Sequence, residues 1–431
     1  MLGVALSCST GERETDGSDN GSAGEPAVAA AGSAGRLSGT GGSATGTAGA
    51  TTNSTGGSSD EEGGSPATGG SSSDAGAPSV APVCEASDFA LGNNLVGPPS
   101  PWVSREKAVF ASEGIVYPEG LVDGVYRQPN WDADFGLPSI ETPAWAAIDI
   151  GDGPSQLFVI WQDVATSKPL GYRLETSADS TDGSDGNWQV AVEVTDNAAD
   201  VREHLVNFQG MSWLKLVVTG APEGATSVRF DELAAFDISD AAGGMPADTW
   251  YFLGDSITEA AFALGSTYLF STLVAEDHQG YSPAMINGGI GGELTQDGLA
   301  RIDGILELHP YFKYFAIGYG TNDSWGDQNV TSVGFENKLR TLIETIVDAG
   351  RVPILARIPY ASSAHTTLPD FNEVVDALQA EYALPCGPDL YTWFLEHPDE
   401  LSSDGVHPNG DGYRSVNRLW ADAVGALYSE G

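Results

Sequence analysis

The chain has 431 residues, with 18 Lys and Arg against 60 Asp and Glu, a formal net charge of −42 at pH 7. That balance argues against nucleic-acid binding, which needs clustered Lys and Arg on phosphates, and against electrostatic adhesion to anionic membranes. Hydrophobic residues make up 41 % of the chain, enough to build packed cores and to exclude disorder throughout.

The elements follow in chain order. Residues 1–8 read as the remnant of a signal peptide: Leu2 to Ser7 is mostly apolar, but too short to span a bilayer. Ala5-Leu6-Ser7-Cys8 resembles the end of a bacterial lipoprotein signal, which implies a lipid on Cys8. An unremarkable terminus is the alternative. Residues 9–84 are Gly, Ser, Ala, Thr and acidic residues with no aromatic among them. Such a stretch cannot offset its ordering entropy by burial, so a flexible linker is expected. Together these features predict a secreted, cell-surface or periplasmic protein, tethered at Cys8 if the lipid is present. Of the other two cysteines, Cys84 and Cys386 pair in an oxidising compartment or stay as two structural thiols. No cysteine spacing suggests a zinc site.

Residues 85–240 carry short β-rich runs between turn clusters: 146–150, 157–161, 190–194, 214–218 and 228–230. Val190, Val192 and Val194 alternate as in a half-buried strand. Asp152-Gly153-Pro154 and the stretch 182–186 supply turns. Many short strands of this kind predict a β-sandwich or jelly roll. Leu121-Val122-Asp123-Gly124, Trp131, the run 143–151, the run 172–179, Trp188 and the run 208–218 resemble the discoidin-like, galactose-binding jelly-roll superfamily. The resemblance implies a carbohydrate-binding module, with Trp102, Tyr126, Trp131 and Trp188 either stacking on a sugar or packing in the core. The acidic loop 179–185 reads as a solvated turn, with a calcium site as the alternative.

From residue 246 to 431 strands and helices alternate. Strands are expected at 250–253, 284–286, 314–317 and 353–356, and helices at 266–278, 294–308, 370–382 and 412–428. Phe335, Leu339, Leu342, Ile343 and Ile346 fall on one helical face. The pattern predicts a parallel sheet flanked by helices, with sites at the C-terminal strand ends. Four motifs fall there or just before the last helix: Gly254-Asp255-Ser256-Ile257-Thr258, the glycine-rich run 287–292, Gly320-Thr321-Asn322-Asp323, and Asp404-Gly405-Val406-His407-Pro408. In order they offer an exposed hydroxyl, close-approaching backbone N–H groups, an amide donor, and a carboxylate three residues before an imidazole.

The four motifs in this order closely resemble the SGNH, or GDSL, superfamily of esterases and lipases. That resemblance implies a three-layer flavodoxin-like α/β fold and no cofactor or catalytic metal. It implies Ser256 as nucleophile, His407 as general base and then acid, and Asp404 as its orienting carboxylate. The oxyanion hole would be made by the backbone N–H of Ser256 and Gly292 and the side-chain amide of Asn322. Glu293 is followed by Leu294 where the family often has Ser or Thr, and Gly289 or Gly291 are alternative donors. Trp325 and Tyr319 are candidate pocket walls, or core. His204, His278, His309 and His397 are expected at the surface or in packing, and His365 outside the cleft. The order of modules resembles two-domain carbohydrate esterases, implying an acylated carbohydrate as substrate and O-deacetylation as the reaction. A lipase, lysophospholipase or thioesterase with a longer acyl pocket is the alternative. A non-catalytic carbohydrate-binding surface protein is the reading from another class, against which the intact set Ser256, Asn322, Asp404 and His407 argues.

Overall fold

The computed structural model describes residues 96–126, 132–163, 167–263, 266–362 and 365–428. Cys8, the linker 9–84 with Cys84, and Trp131 lie outside them. Among the described residues, ten strands precede residue 240: β1 Val109–Ala111, β2 Ala133–Asp134, β3 Ala144–Asp149, β4 Gln156–Gln162, β5 Gly171–Ser177, β6 Trp188–Val194, β7 Val201–Asn207, β8 Trp213–Gly220, β9 Arg229–Phe230 and β10 Glu232–Asp237. They form an antiparallel sheet β1-β3-β8-β5-β6, a second one β10-β4-β7, and a small pair β2-β9. Alternate residues of the two larger sheets meet between them, with Ile148, Leu216, Leu174, Val159, Trp161 and Leu233 in one core.

The expected alternation in β6 holds only in part. Val192 pairs with Leu174 and packs on that core, but Val190 pairs with Glu175 across a register shift. The extra residue reverses the phase, so Val190 lies on the outer face and is 55 % exposed. The acidic loop is a turn that satisfies itself. Asp179 accepts from Asn187, Asp182 from Ser184, and Asp185 from Thr181 and Ser180. Trp188 covers the Lys215 ammonium at 3.5 Å and donates to the Asp185 carbonyl.

The second half contains strands β11 Thr249–Gly254, β12 Ala284–Gly289, β13 Tyr314–Gly318, β14 Val352–Arg357 and β15 Cys386–Asp389. Between and after them run helices α1 Ser256–Ala261, α2 Phe270–Asp277, α3 Thr295–Leu308, α4 Ser332–Asp348, α5 Leu368–Glu381, α6 Leu390–Glu396 and α7 Gly410–Val424. The strands pair in parallel in the order β12-β11-β13-β14-β15. This is the flavodoxin-like order, whose direction reverses beside β11. None of the described helices is long and apolar enough to cross a membrane. Cys386 is disulfide-bonded; its expected partner, Cys84, lies outside the described residues.

The two halves share a core. The face of β10-β4-β7 turned away from the sandwich interior carries Phe158, Ile160, Ala234 and Phe236, which pack with Tyr251, Phe312 and Phe315 of the α/β half. Phe158 lies 6.2 Å from the Phe312 ring and 6.0 Å from Tyr311. Two buried polar contacts fix the docking: Gln162 Nε2 donates to the Met285 carbonyl at 3.1 Å, and Glu203 meets His309 Nδ1 at 2.7 Å. Trp102 and Tyr126 belong to this junction, with ring centroids 6.4 Å apart; Tyr126 is fully buried and so is not a platform open to a sugar, while Trp102 is half-buried against Phe236.

Two expectations follow. Phe158→Ala should cost about 3–5 kcal/mol, typical of emptying a core aromatic site. Because the core is shared, calorimetry should show one transition shifted down; two transitions with only one moved would contradict the shared core. The second concerns Asp248, buried under β11, where it accepts from Trp250 Nε1 and Tyr428 Oη. Burial pushes its carboxyl up to about 7. A carboxyl raised by folding favours the folded state at low pH, and that contribution is lost as pH rises through about 7. Asp248→Asn keeps the acceptor without the buried charge. It should exceed wild type at pH 8 by on the order of 1–4 kcal/mol, and the gain should vanish near pH 4. Melting temperatures across that range check it.

Candidate active site

Three strand ends build the site. Gly254 of β11 pairs in register with Gly289 of β12 on one side and Gly318 of β13 on the other. The chain leaves this row of glycines into the loops carrying Ser256, Gly292 and Asn322. Ser256 begins α1, whose N-cap is Asp255; one Asp255 oxygen accepts from the Ile257 N–H at 2.9 Å. The other makes no hydrogen bond among the described residues, and burial pushes the carboxyl up to about 7.

Helix α7 packs against α1, and the loop before α7 brings in the fourth motif. Ser256 Oγ lies 2.9 Å from His407 Nε2, and His407 Nδ1 lies 2.7 Å from Asp404 Oδ2. The remaining oxygen, Asp404 Oδ1, accepts from Ser402 Oγ at 2.7 Å, Val406 N at 2.8 Å and His407 N at 3.0 Å. Partial burial works against the charged form of Asp404, but these hydrogen bonds, led by His407, outweigh it and hold the carboxyl well below the usual range. The site is open to solvent: the His407 and Asp404 side chains are 39 % and 50 % exposed.

The glycine-rich loop lies beside the serine. A Cβ on Gly291 would sit 3.8 Å from Ser256 Cβ. Two of the three alternative N–H groups are engaged: Gly289 donates to Asn287 Oδ1 at 3.1 Å and Gly291 to Glu259 Oε2 at 2.8 Å. Gly292, at φ +81°, makes no such bond among the described residues, which favours it over the other two as a donor to a ligand. Asn322 Nδ2 donates one hydrogen to the Glu293 carbonyl at 2.9 Å. An amide carries two, so the other stays available.

The two candidate wall residues part company. Trp325 is 38 % exposed and sits edge-on to the His365 ring at 4.3 Å. Tyr319 is only 3 % exposed and is a core residue rather than a cleft wall. It continues the face of Phe315 and Ile317 into the core, where its ring lies against Gly298. His365 is buried and hydrogen-bonded to Ser324 at 2.5 Å. His309 is at the module junction, and His204 is bonded to Tyr172 Oη. Glu259 and Ser402 were not singled out from the sequence, although Glu259 stands one helical turn after Ser256, and Glu293 was named there without a role of its own.

Residues 252–415, which hold all four motifs, match the GDSL-like lipase/acylhydrolase family. The C-terminal region is a GDSL-type acylhydrolase domain. It is 27 % identical over 169 residues to thioesterase 1/protease 1/lysophospholipase L1 of Escherichia coli, covering 38 % of this chain and 77 % of that protein. Among solved structures, a lipase/acylhydrolase from Enterococcus faecalis is 27 % identical with a TM-score of 0.37, covering 42 % of this chain and 98 % of that one. An acetylxylan esterase from Geobacillus stearothermophilus is 21 % identical with a TM-score of 0.36, covering 43 % and 96 %.

The packing of the loop gives a paired test. A Cβ on Gly289 would lie 2.2 Å from the Glu259 backbone nitrogen, a clash that only movement of the loop relieves. In α3, by contrast, a Cβ on Gly304 meets nothing within 4 Å. Gly289→Ala should therefore lower ester hydrolysis about 100-fold, the scale of an ångström's misplacement. Gly304→Ala should leave it unchanged and add roughly 0.5–1 kcal/mol of stability. Initial rates and thermal melts of both variants decide.

Proposed function

We propose that the chain is a serine esterase that cleaves carboxylic esters through an acyl-enzyme. The observation that carries this reading is the continuous hydrogen-bonded path from Ser256 Oγ through His407 to Asp404, at 2.9 and 2.7 Å. In this reading Nε2 of His407 takes the proton as Ser256 Oγ attacks the ester carbon. Asp404, which its hydrogen bonds keep ionised, balances the imidazolium and fixes the ring. The oxyanion is received by the N–H groups of Ser256 and Gly292 and the second amide hydrogen of Asn322. Each such donor is typically worth about 100- to 1,000-fold in rate. His407 then protonates the leaving alcohol, and water repeats the sequence to free the acid.

We infer further that the substrate is an O-acetyl group on a polysaccharide, reached by an exported enzyme tethered through its N-terminal segment. The openness of the site supports this. His407 and Asp404 are accessible, and Ile290 and Trp325 stand out from the two donor loops at 43 % and 38 % exposure. An acetyl group pendant from a bulky chain needs lateral room and an aromatic edge more than it needs a deep acyl tunnel. The β-sandwich, in this reading, holds the polymer. A second reading, hydrolysis of a lysophospholipid or thioester in a longer acyl pocket, is supported by the similarity to the E. coli protein named thioesterase 1/protease 1/lysophospholipase L1.

Hydrolysis of a 4-nitrophenyl acyl series from acetate to palmitate tests both. Ser256→Ala and His407→Ala should each lower turnover by at least about 1,000-fold. Near-normal rates in both variants would overturn the esterase assignment. A preference for acetate supports the deacetylase; one for chains of about eight carbons or more favours the second reading.

A further inference from the structure

We propose that Arg301 is a positioning residue for the oxyanion hole, acting through Glu293 on both loop donors. The inference rests on the esterase reading above and adds to it a group that lies outside the four motifs. Glu293 directly follows Gly292, and its main-chain carbonyl is the acceptor that aims the Asn322 amide. Whatever fixes Glu293 therefore fixes one donor by covalent connection and the other by hydrogen bond.

Three contacts fix it. Glu293 Oε2 accepts from Arg301 Nη2 at 2.8 Å, from Arg301 Nε at 3.1 Å and from Tyr319 Oη at 2.6 Å. Arg301 Nη2 donates as well to the Gly288 carbonyl at 2.6 Å and to Tyr319 Oη at 2.9 Å. One guanidinium thus bridges the two ends of the glycine-rich loop, Gly288 where β12 is ending and Glu293 just before α3. The pair is largely shielded, with Arg301 and Glu293 side chains 22 % and 13 % exposed. Tyr319 reaches it because Gly298 has no side chain: a Cβ there would lie 2.4 Å from the Tyr319 ring. From the opposite side Glu259 of α1 holds Gly291 N–H, so the loop is gripped from two helices while the Gly292 N–H stays free of both.

The physical consequence is specific. Oxyanion donors act on charge that develops in the transition state, so misaiming them lowers kcat and leaves KM nearly unchanged. The guanidinium fork meets several acceptors at once, which a lysine ammonium at the same place cannot. Neither Arg301 nor Tyr319 touches His407, so the pH profile should not move.

The test uses the full chain and 4-nitrophenyl acetate. Arg301→Ala should lower kcat about 100-fold with KM within about threefold of wild type and an unchanged pH profile. Arg301→Lys should recover only part of the loss. Tyr319→Phe removes a single hydroxyl and should lower kcat about tenfold at a near-native melting temperature, so the proposal stays exposed to refutation if Arg301→Ala folds poorly. The deciding readout is a double-mutant cycle with Asn322→Ala. If Arg301 works through the hole, Arg301→Ala on top of Asn322→Ala should cost less than about threefold more. Losses that multiply independently, or full kcat in Tyr319→Phe and Arg301→Ala where Asn322→Ala is impaired, overturn the inference alone. An inactive wild type overturns the esterase reading, and this inference with it.

Discussion

The site depends on a single row of parallel pairing, Gly289–Gly254–Gly318, at the carboxyl edge of the sheet. Parallel strands need crossovers, so neighbouring strands in this row are far apart in sequence yet end at the same height. Three loops that leave one row can converge on one point without any long excursion. The direction of the chain reverses beside β11, so the loops after β11 and β13 diverge to opposite faces and open a crevice between them. Ser256 and Asn322 leave from the two strands that bound that crevice. The fourth component, His407, needs no strand of its own because α7 packs on α1 and delivers the preceding loop.

Within that frame the polar groups divide into those that face the reacting position and those that spend their hydrogen bonds on geometry. Asp404 commits three donors to one oxygen and keeps the other for His407. Glu259 and Glu293 engage N–H groups or guanidinium hydrogens rather than solvent. Two further carboxyls, Asp255 and Asp323, each keep one buried oxygen without a hydrogen bond among the described residues. Their first oxygens cap α1 and hold Thr295 at the start of α3. The helices α1 and α3 flanking the active centre thus each begin beside an aspartate, one oxygen of which accepts a helix N–H while burial works against its charged form.

The second organising constraint is the sheet β10-β4-β7, which is covered on both faces. One face closes the sandwich and the other joins the core of the α/β domain. A module docked in this way contributes stability whatever it binds. Glu203 and His309 add a buried polar contact whose removal from one side would strand the other partner. The outer, five-stranded sheet is the one left for other contacts, and part of it is closed by its own loop: a Cβ on Gly183 would lie 2.9 Å from Ala147 and 3.2 Å from the Trp145 ring.

How much of this the sequence disclosed depends on which physical signal each feature leaves. The four motifs were legible because special chemistry at strand ends needs glycine, short polar side chains and fixed spacing. Strands β11 to β14 were legible as apolar runs; β15, Cys386-Gly387-Pro388-Asp389, carries no such run and was not expected. For Tyr319 the sequence left pocket wall and core both open, and phase decides between them: Phe315, Ile317 and Tyr319 alternate with Tyr314 and Ala316, and the period-two rule puts Tyr319 on a core face. The same rule, applied to Leu157-Phe158-Val159-Ile160-Trp161, marks a strand with no polar side, which is the signature of burial on both faces and hence of the shared core. In β6 the same rule holds for Val192 and Val194 and breaks at Val190. A bulge inserts one residue and reverses the phase, and nothing in the local composition announces it. The clamp on Glu293 was hidden because it joins residues from a loop, a helix and a strand end, and such a network carries no periodicity at all. What sequence periodicity reports is which side of an element faces a core; what it omits is which polar groups meet once the cores have formed, and in this protein those meetings aim the donors.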